Sequence, residues 1–148
     1  MNLKNYTSEV PPDLSVSRIE RKLVEIGATN ISKRYEDGTL VAISFVILQN
    51  GTSIVLQLPA RVERVFEVMW REVKRPVAGT KARTKEQAER TAWKIVSDWV
   101  DVQASMVLLE QAELLQVFLP YAMVSSTETL FDRMKGSEFK LLNAGINA

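Results

Sequence analysis

A single helical pattern, longer than a domain of this size, constrains the fold more than any other feature. From 84 to about 118 no Gly or Pro intervenes, and Ala88, Ala92, Ile95, Trp99, Val102, Met106 and Leu109 recur four and three residues apart, the spacing of one helix face. Thr84 with Gln87 reads as a capping box at the start, and Pro120 follows the end. At about 1.5 Å per residue such a helix is roughly 50 Å long, whereas a compact domain of this length has a diameter of roughly 40 Å. Three outcomes are open: the helix bends, breaks near Glu110 to Glu113 where the stripe meets charge, or lies partly against another chain. A second partly apolar face, Trp93, Val96, Val100 and Val107, indicates burial on more than one side.

The chain ahead of this helix reads as a small helix and a meander. Residues 1–14, with Pro11-Pro12, read as an extended arm. Ser17 and Glu20 form a second capping box before Ile19, Leu23 and Ile26, and Gly27 suits a left-handed C-cap. Asp37-Gly38 and Asn50-Gly51 are the dipeptides that type I′ hairpin turns favour. They join strands expected at 29–36, 39–48 and 52–58, the second apolar on both faces and therefore central or doubly covered. Pro59 suits the first turn of a helix carrying Val62, Val65, Phe66, Met69 and Val73, with Arg61, Arg64 and Arg71 outward. Beyond Pro120, Thr127 caps a short helix expected at 128–135, and Phe139, Leu141 and Leu142 make an apolar tail. The expected fold is α+β: a short N-terminal helix, a three-stranded antiparallel meander, and further helices packing on the sheet, with 15–148 as one domain.

Composition removes several function classes. There is no Cys and no His, which excludes disulfides, thiolate metal sites, the commonest metal ligand and every Ser-His-Asp arrangement. The opening Met1 to Tyr6 lacks a signal-peptide core and no apolar run approaches the ~20 residues that span a bilayer, so a cytoplasmic location is expected. The net charge of +1 conceals asymmetry: residues 61–94 carry ten basic and five acidic groups, and 95–148 carry three and seven. A globally basic nucleic-acid binder is excluded; a local basic face is not.

That face is the most informative constellation. Arg71, Lys74, Arg75, Lys81, Arg83 and Lys85 surround a Gly79-containing loop with only Glu72 opposed, and such a loop feeding a helix N-terminus suits phosphate. Together with Arg61 and Arg64 they form the expected nucleic-acid interface, which Trp70 and Trp93 would complete by stacking if exposed. The blander reading is a solvated loop above core tryptophans. The acidic pairs Asp98/Asp101 and Glu110/Glu113 each share a helix face, but about 18 Å separates the pairs along a straight helix, so they cannot hold one ion and read as a solvated face. Gly79-Thr80-Lys81 lacks the earlier glycine of a phosphate loop. No cofactor and no metal site is expected.

From Val16 to Phe131 the chain resembles a family of small bacteriophage and mobile-element proteins without an assigned activity. The likeness is carried by Ile19-Glu20 to Gly27-Ala28, Leu58-Pro59-Ala60, Glu86 to Arg90 with Ala92-Trp93-Lys94, and Val117 to Tyr121. It implies a phage or prophage setting, where small histidine-free proteins serve DNA metabolism or block host defences. The expected function is therefore a non-enzymatic, homo-oligomeric protein contacting nucleic acid. The alternative is a protein-interaction module, an inhibitor or assembly factor, acting through the acidic C-terminal third and the tail.

Overall fold

A computed structural model describes residues 3–143 and residue 145; Met1 and Asn2 of the expected arm lie outside the described residues. The helix Pro12–Glu25 (α1) precedes strands Thr29–Glu36 (β1), Thr39–Gln49 (β2) and Thr52–Pro59 (β3). Helices Val62–Arg71 (α2), Thr80–Leu108 (α3), Leu114–Phe118 (α4) and Leu130–Gly136 (α5) follow, with single 3₁₀ turns at Leu119–Tyr121 and Lys140–Asn143. The architecture is α+β, with the long helix on a three-stranded antiparallel sheet of order β1-β2-β3. No described helix is long and apolar enough to cross a membrane.

Local chemistry accounts for the sheet. Asp37-Gly38 and Asn50-Gly51 take positive φ at both positions, the handedness that matches strand twist in tight hairpins. Two bulges adjust the register. Asn30, at φ 52°, adds a residue to β1, since Thr29 faces Val46 and Ser32 faces Ser44; Val41 is the extra residue in β2, since Arg34 faces Ala42 and Tyr35 faces Leu40. The second bulge brings Leu40 into the buried set with Ile43, Phe45 and Ile47, where strict alternation placed Val41. β2 is central, but its second face is uncovered toward one end, with Leu48 71% exposed.

The expected arm is shorter and tethered. Pro12 occupies the first helical position of α1, so the helix starts five residues before the Ser17 box; Ser17 is exposed inside it, and Glu20 pairs with Lys33 of β1 at 2.9 Å. Upstream, the backbone carbonyls of Asn5, Tyr6 and Ser8 accept hydrogen bonds from α3. Thr91 Oγ1 donates to Asn5, Gln87 Nε2 to Tyr6 and Ser8, and Arg90 Nε to Ser8. Asn5 Nδ2 donates to Asp98 at 2.8 Å. Gln87 is therefore part of a clamp, not of a capping box.

The long helix starts earlier and ends earlier than the pattern predicts. Gly79, at φ 84°, is its N-cap, and Thr84 lies a turn inside, donating its Oγ1 to the Thr80 carbonyl. The helix breaks at Glu110, whose φ of 59° lets its N–H reach the Val107 carbonyl while Gln111 N–H reaches Met106, a Schellman closure on a non-glycine residue. This is the second of the three outcomes the length argument left open. At 29 residues α3 spans about 43 Å.

Its buried face also differs from the apolar stripe. Ala88 and Ala92 are buried as expected, but farther on Trp93, Ser97, Val100 and Ala104 are buried while Val102 and Leu109 are 58% and 68% exposed. Small residues at 97 and 104 let neighbouring elements approach closely, and a count of large apolar residues passes over them. Two further boundaries move. Pro59 ends β3 instead of opening α2, opposite Ala42 on an edge strand where a missing N–H costs least; Thr129, not Thr127, caps the short helix α5 in a reciprocal box with Asp132.

Candidate nucleic-acid interface

The eight predicted cations divide by geometry into two groups. α2 and α3 pack side by side, joined by the turn of residues 72–79. Arg71 ends α2, Lys74 and Arg75 lie in the turn, and Lys81 and Arg83 lie in the first turn of α3; all five are exposed. Among the described residues the five form no ion pair within 4 Å, and Arg83 donates a side-chain hydrogen bond, Nη2 to Thr80 Oγ1 at 3.4 Å. The other three are engaged or displaced. Arg64 pairs with Glu67 at 3.0 Å and Lys85 with Glu63 at 3.3 Å, while Arg61 sits at the opposite end of α2, beside Asp132.

The turn leaves the N-terminus of α3 open. Gly79 cannot cap the helix with a side chain, and the first turn of α3 contains no acid. Val77 N–H is held by Thr80 Oγ1 and Thr80 N–H by the Val77 carbonyl, whereas the N–H groups of Lys81 and Ala82 meet no acceptor among the described residues. Open amides at the positive end of a 29-residue helix and five surrounding cations add in sign. A Cβ on Gly79 would lie 3.0 Å from Arg83 Nη1, so the glycine also leaves room for that guanidinium.

The tryptophans do not take the stacking role. Trp93 is fully buried and its indole N–H donates to the Leu40 carbonyl at 3.0 Å; it joins α3 to the β2 bulge and cannot meet a base. Trp70 is half-buried, stacked on Phe66 with centroids 5.9 Å apart.

The acidic pairs are also placed. Asp98 accepts from Lys94 at 2.6 Å and from Asn5, with Lys4 3.6 Å away. Partial burial pushes its carboxyl up, and the Lys94 and Asn5 hydrogen bonds with the two lysine charges outweigh that, for a net lowering. Asp101 faces Lys22 of α1 at 3.4 Å. Glu110 forms the helix break and Glu113 the N-cap of α4. Among the described residues no cluster of three carboxylates is placed to hold a metal ion. The clamp on residues 5–8 escaped the sequence reading, because Gln87, Arg90 and Thr91 bear no mark of a partner some 80 positions away. No family model, curated protein or solved structure matches this chain.

Proposed function

We propose that this protein is a non-enzymatic nucleic-acid-binding protein that grips phosphate backbone through the α2–α3 turn. One observation carries the reading: Arg71, Lys74, Arg75, Lys81 and Arg83 are exposed, without carboxylate partners among the described residues, around the open N-terminus of α3. Among the described residues, Lys33, Asp98 and Asp132 have pKa values shifted in favour of their charged forms, and their partners belong to ion pairs or a helix cap. Self-association would duplicate the turn and raise its grip on a long polyanion; sedimentation equilibrium reads that directly.

The test is fluorescence anisotropy with labelled single- and double-stranded oligonucleotides across a salt series. Five phosphate contacts give a log–log slope of about −3 to −5, and Lys81→Ala with Arg83→Ala flattens it by about 1 to 2. Both side chains are exposed, so stability is unchanged. Absence of binding at about 50 mM salt, where such contacts are strongest, would end this reading.

A further inference from the structure

At the far end of α2 a cleft of about 740 Å³ opens between β3, α3 and the segment 120–132, a volume suited to a small organic molecule. One wall is aromatic and rigid. Trp99 and Tyr121 line it as a corner, their rings 5.5 Å apart and inclined at 62°, and Trp99 is backed by an edge contact at 5.4 Å to Phe118, which is fully buried against Phe45. Val65 and Phe131 add apolar surface.

The polar lining is unbalanced toward positive charge. Arg34 and Arg61 both border the cleft; Arg34 has only a long 3.8 Å pairing to Glu36, and Arg61 has no ion pair among the described residues. The one carboxylate in the lining, Asp132, is already committed. It accepts from Thr129 N–H at 3.0 Å to close the α5 cap, and the backbone and side-chain hydrogen bonds of Thr129, with the nearby Arg61 charge, keep it ionised below the usual carboxylate range. The ionised Asp132 offsets only one of the two guanidiniums in the lining, so Arg34 and Arg61 leave a net positive charge beside the aromatic wall. Sheet register explains the juxtaposition: Arg34, Ala42 and Pro59 form one row across the three strands, so an edge arginine from β1 reaches the end of β3 where Arg61 begins α2.

We propose that this cleft binds a small planar molecule carrying one anionic group, its ring against Trp99 and Tyr121 and its anion between Arg34 and Arg61. Flat apolar bodies suit such a wall, and a guanidinium recognises carboxylate, sulfonate or phosphate oxygens in paired hydrogen bonds. This site is separate from the α2–α3 turn.

The experiment titrates the full chain with anilinonaphthalene sulfonate, an aromatic anion, and with uncharged N-phenylnaphthylamine, and locates each by methyl NMR shifts. A dissociation constant on the order of 10⁻⁵ to 10⁻⁴ M is expected for the sulfonate, with shifts at Val65, Ile95 and Val96. Arg34→Gln and Arg61→Gln each weaken the sulfonate about five- to tenfold and leave the amine within about twofold. Thr127→Trp, an exposed loop substitution at the cleft lining, blocks both probes, while Lys81→Ala and Arg83→Ala affect neither. Equal response of charged and neutral probes to the arginine variants overturns the proposal, as do shifts confined to Leu141 and Leu142.

Discussion

Trp93→Phe separates the core role of this tryptophan from the nucleic-acid role its neighbourhood suggests. The indole N–H is the buried donor to the Leu40 carbonyl, so its removal leaves that oxygen short of a partner beside the β2 bulge, at a cost of about 1 to 3 kcal/mol. Phenylalanine is also smaller; roughly 40 Å³ of void at about 24 cal/mol per Å³ adds about 1 kcal/mol. A total of about 2 to 4 kcal/mol is a large share of the ~5 to 15 kcal/mol that holds a typical domain. Urea unfolding followed by circular dichroism reads it as a lowered midpoint at unchanged slope, and the melting temperature falls by roughly 4 to 16 °C. Oligonucleotide affinity of the folded variant stays at the wild-type value. A loss below about 1 kcal/mol, together with weakened oligonucleotide binding, would mean that Trp93 is reachable by ligand and that the core packing described here is wrong.

Three further substitutions probe the frame. Ser15 is fully buried and its hydroxyl lacks a hydrogen-bond partner among the described residues, so Ser15→Ala should raise stability by about 1 kcal/mol through relief of desolvation and better helix propensity; a lowered urea midpoint would show that the hydroxyl has a partner. Glu110 holds a left-handed conformation at the α3 terminus, and Glu110→Gly should stabilise by about 1 kcal/mol; a loss in calorimetry would count against the break. Asp98, whose carboxyl is lowered from 3.8, contributes stability that is present above the unfolded pKa and lost as pH falls through the folded one. Asp98→Asn should therefore lower the urea midpoint at pH 7 and differ less from wild type near pH 3, and a pH-independent difference would refute the linkage.

What the sequence determined by itself is the set of elements decided within a few residues. The two hairpin dipeptides specify positive φ at Asp37-Gly38 and Asn50-Gly51, so the meander and most strand limits follow from the chain alone. The same holds for the Gly27 closure of α1, where Ala28 N–H reaches the Leu23 carbonyl, and for the exposure of the basic turn, whose cations have nowhere apolar to go. Periodicity also established that α3 exists, and the meeting of stripe and charge near Glu110 left a break there as one of three open outcomes.

Tertiary structure decided which face of α3 is inside and where its ends lie. Helical periodicity fixes neighbours along one helix but not the surfaces that approach it, and here α1, α2 and the sheet all compete for α3. They select Ser97 and Ala104, which allow close approach, over Val102 and Leu109. The Thr84 box lost to Gly79 because Gln87 is used across 81 positions by the Tyr6 carbonyl. The cleft was equally hidden: Arg34, Arg61, Trp99 and Tyr121 come from four separate segments, and only strand register and the returning 120–132 segment bring them to one wall. Interactions within a turn are encoded by adjacent residues, whereas a wall built from distant segments exists only after loop closure has been offset by burial.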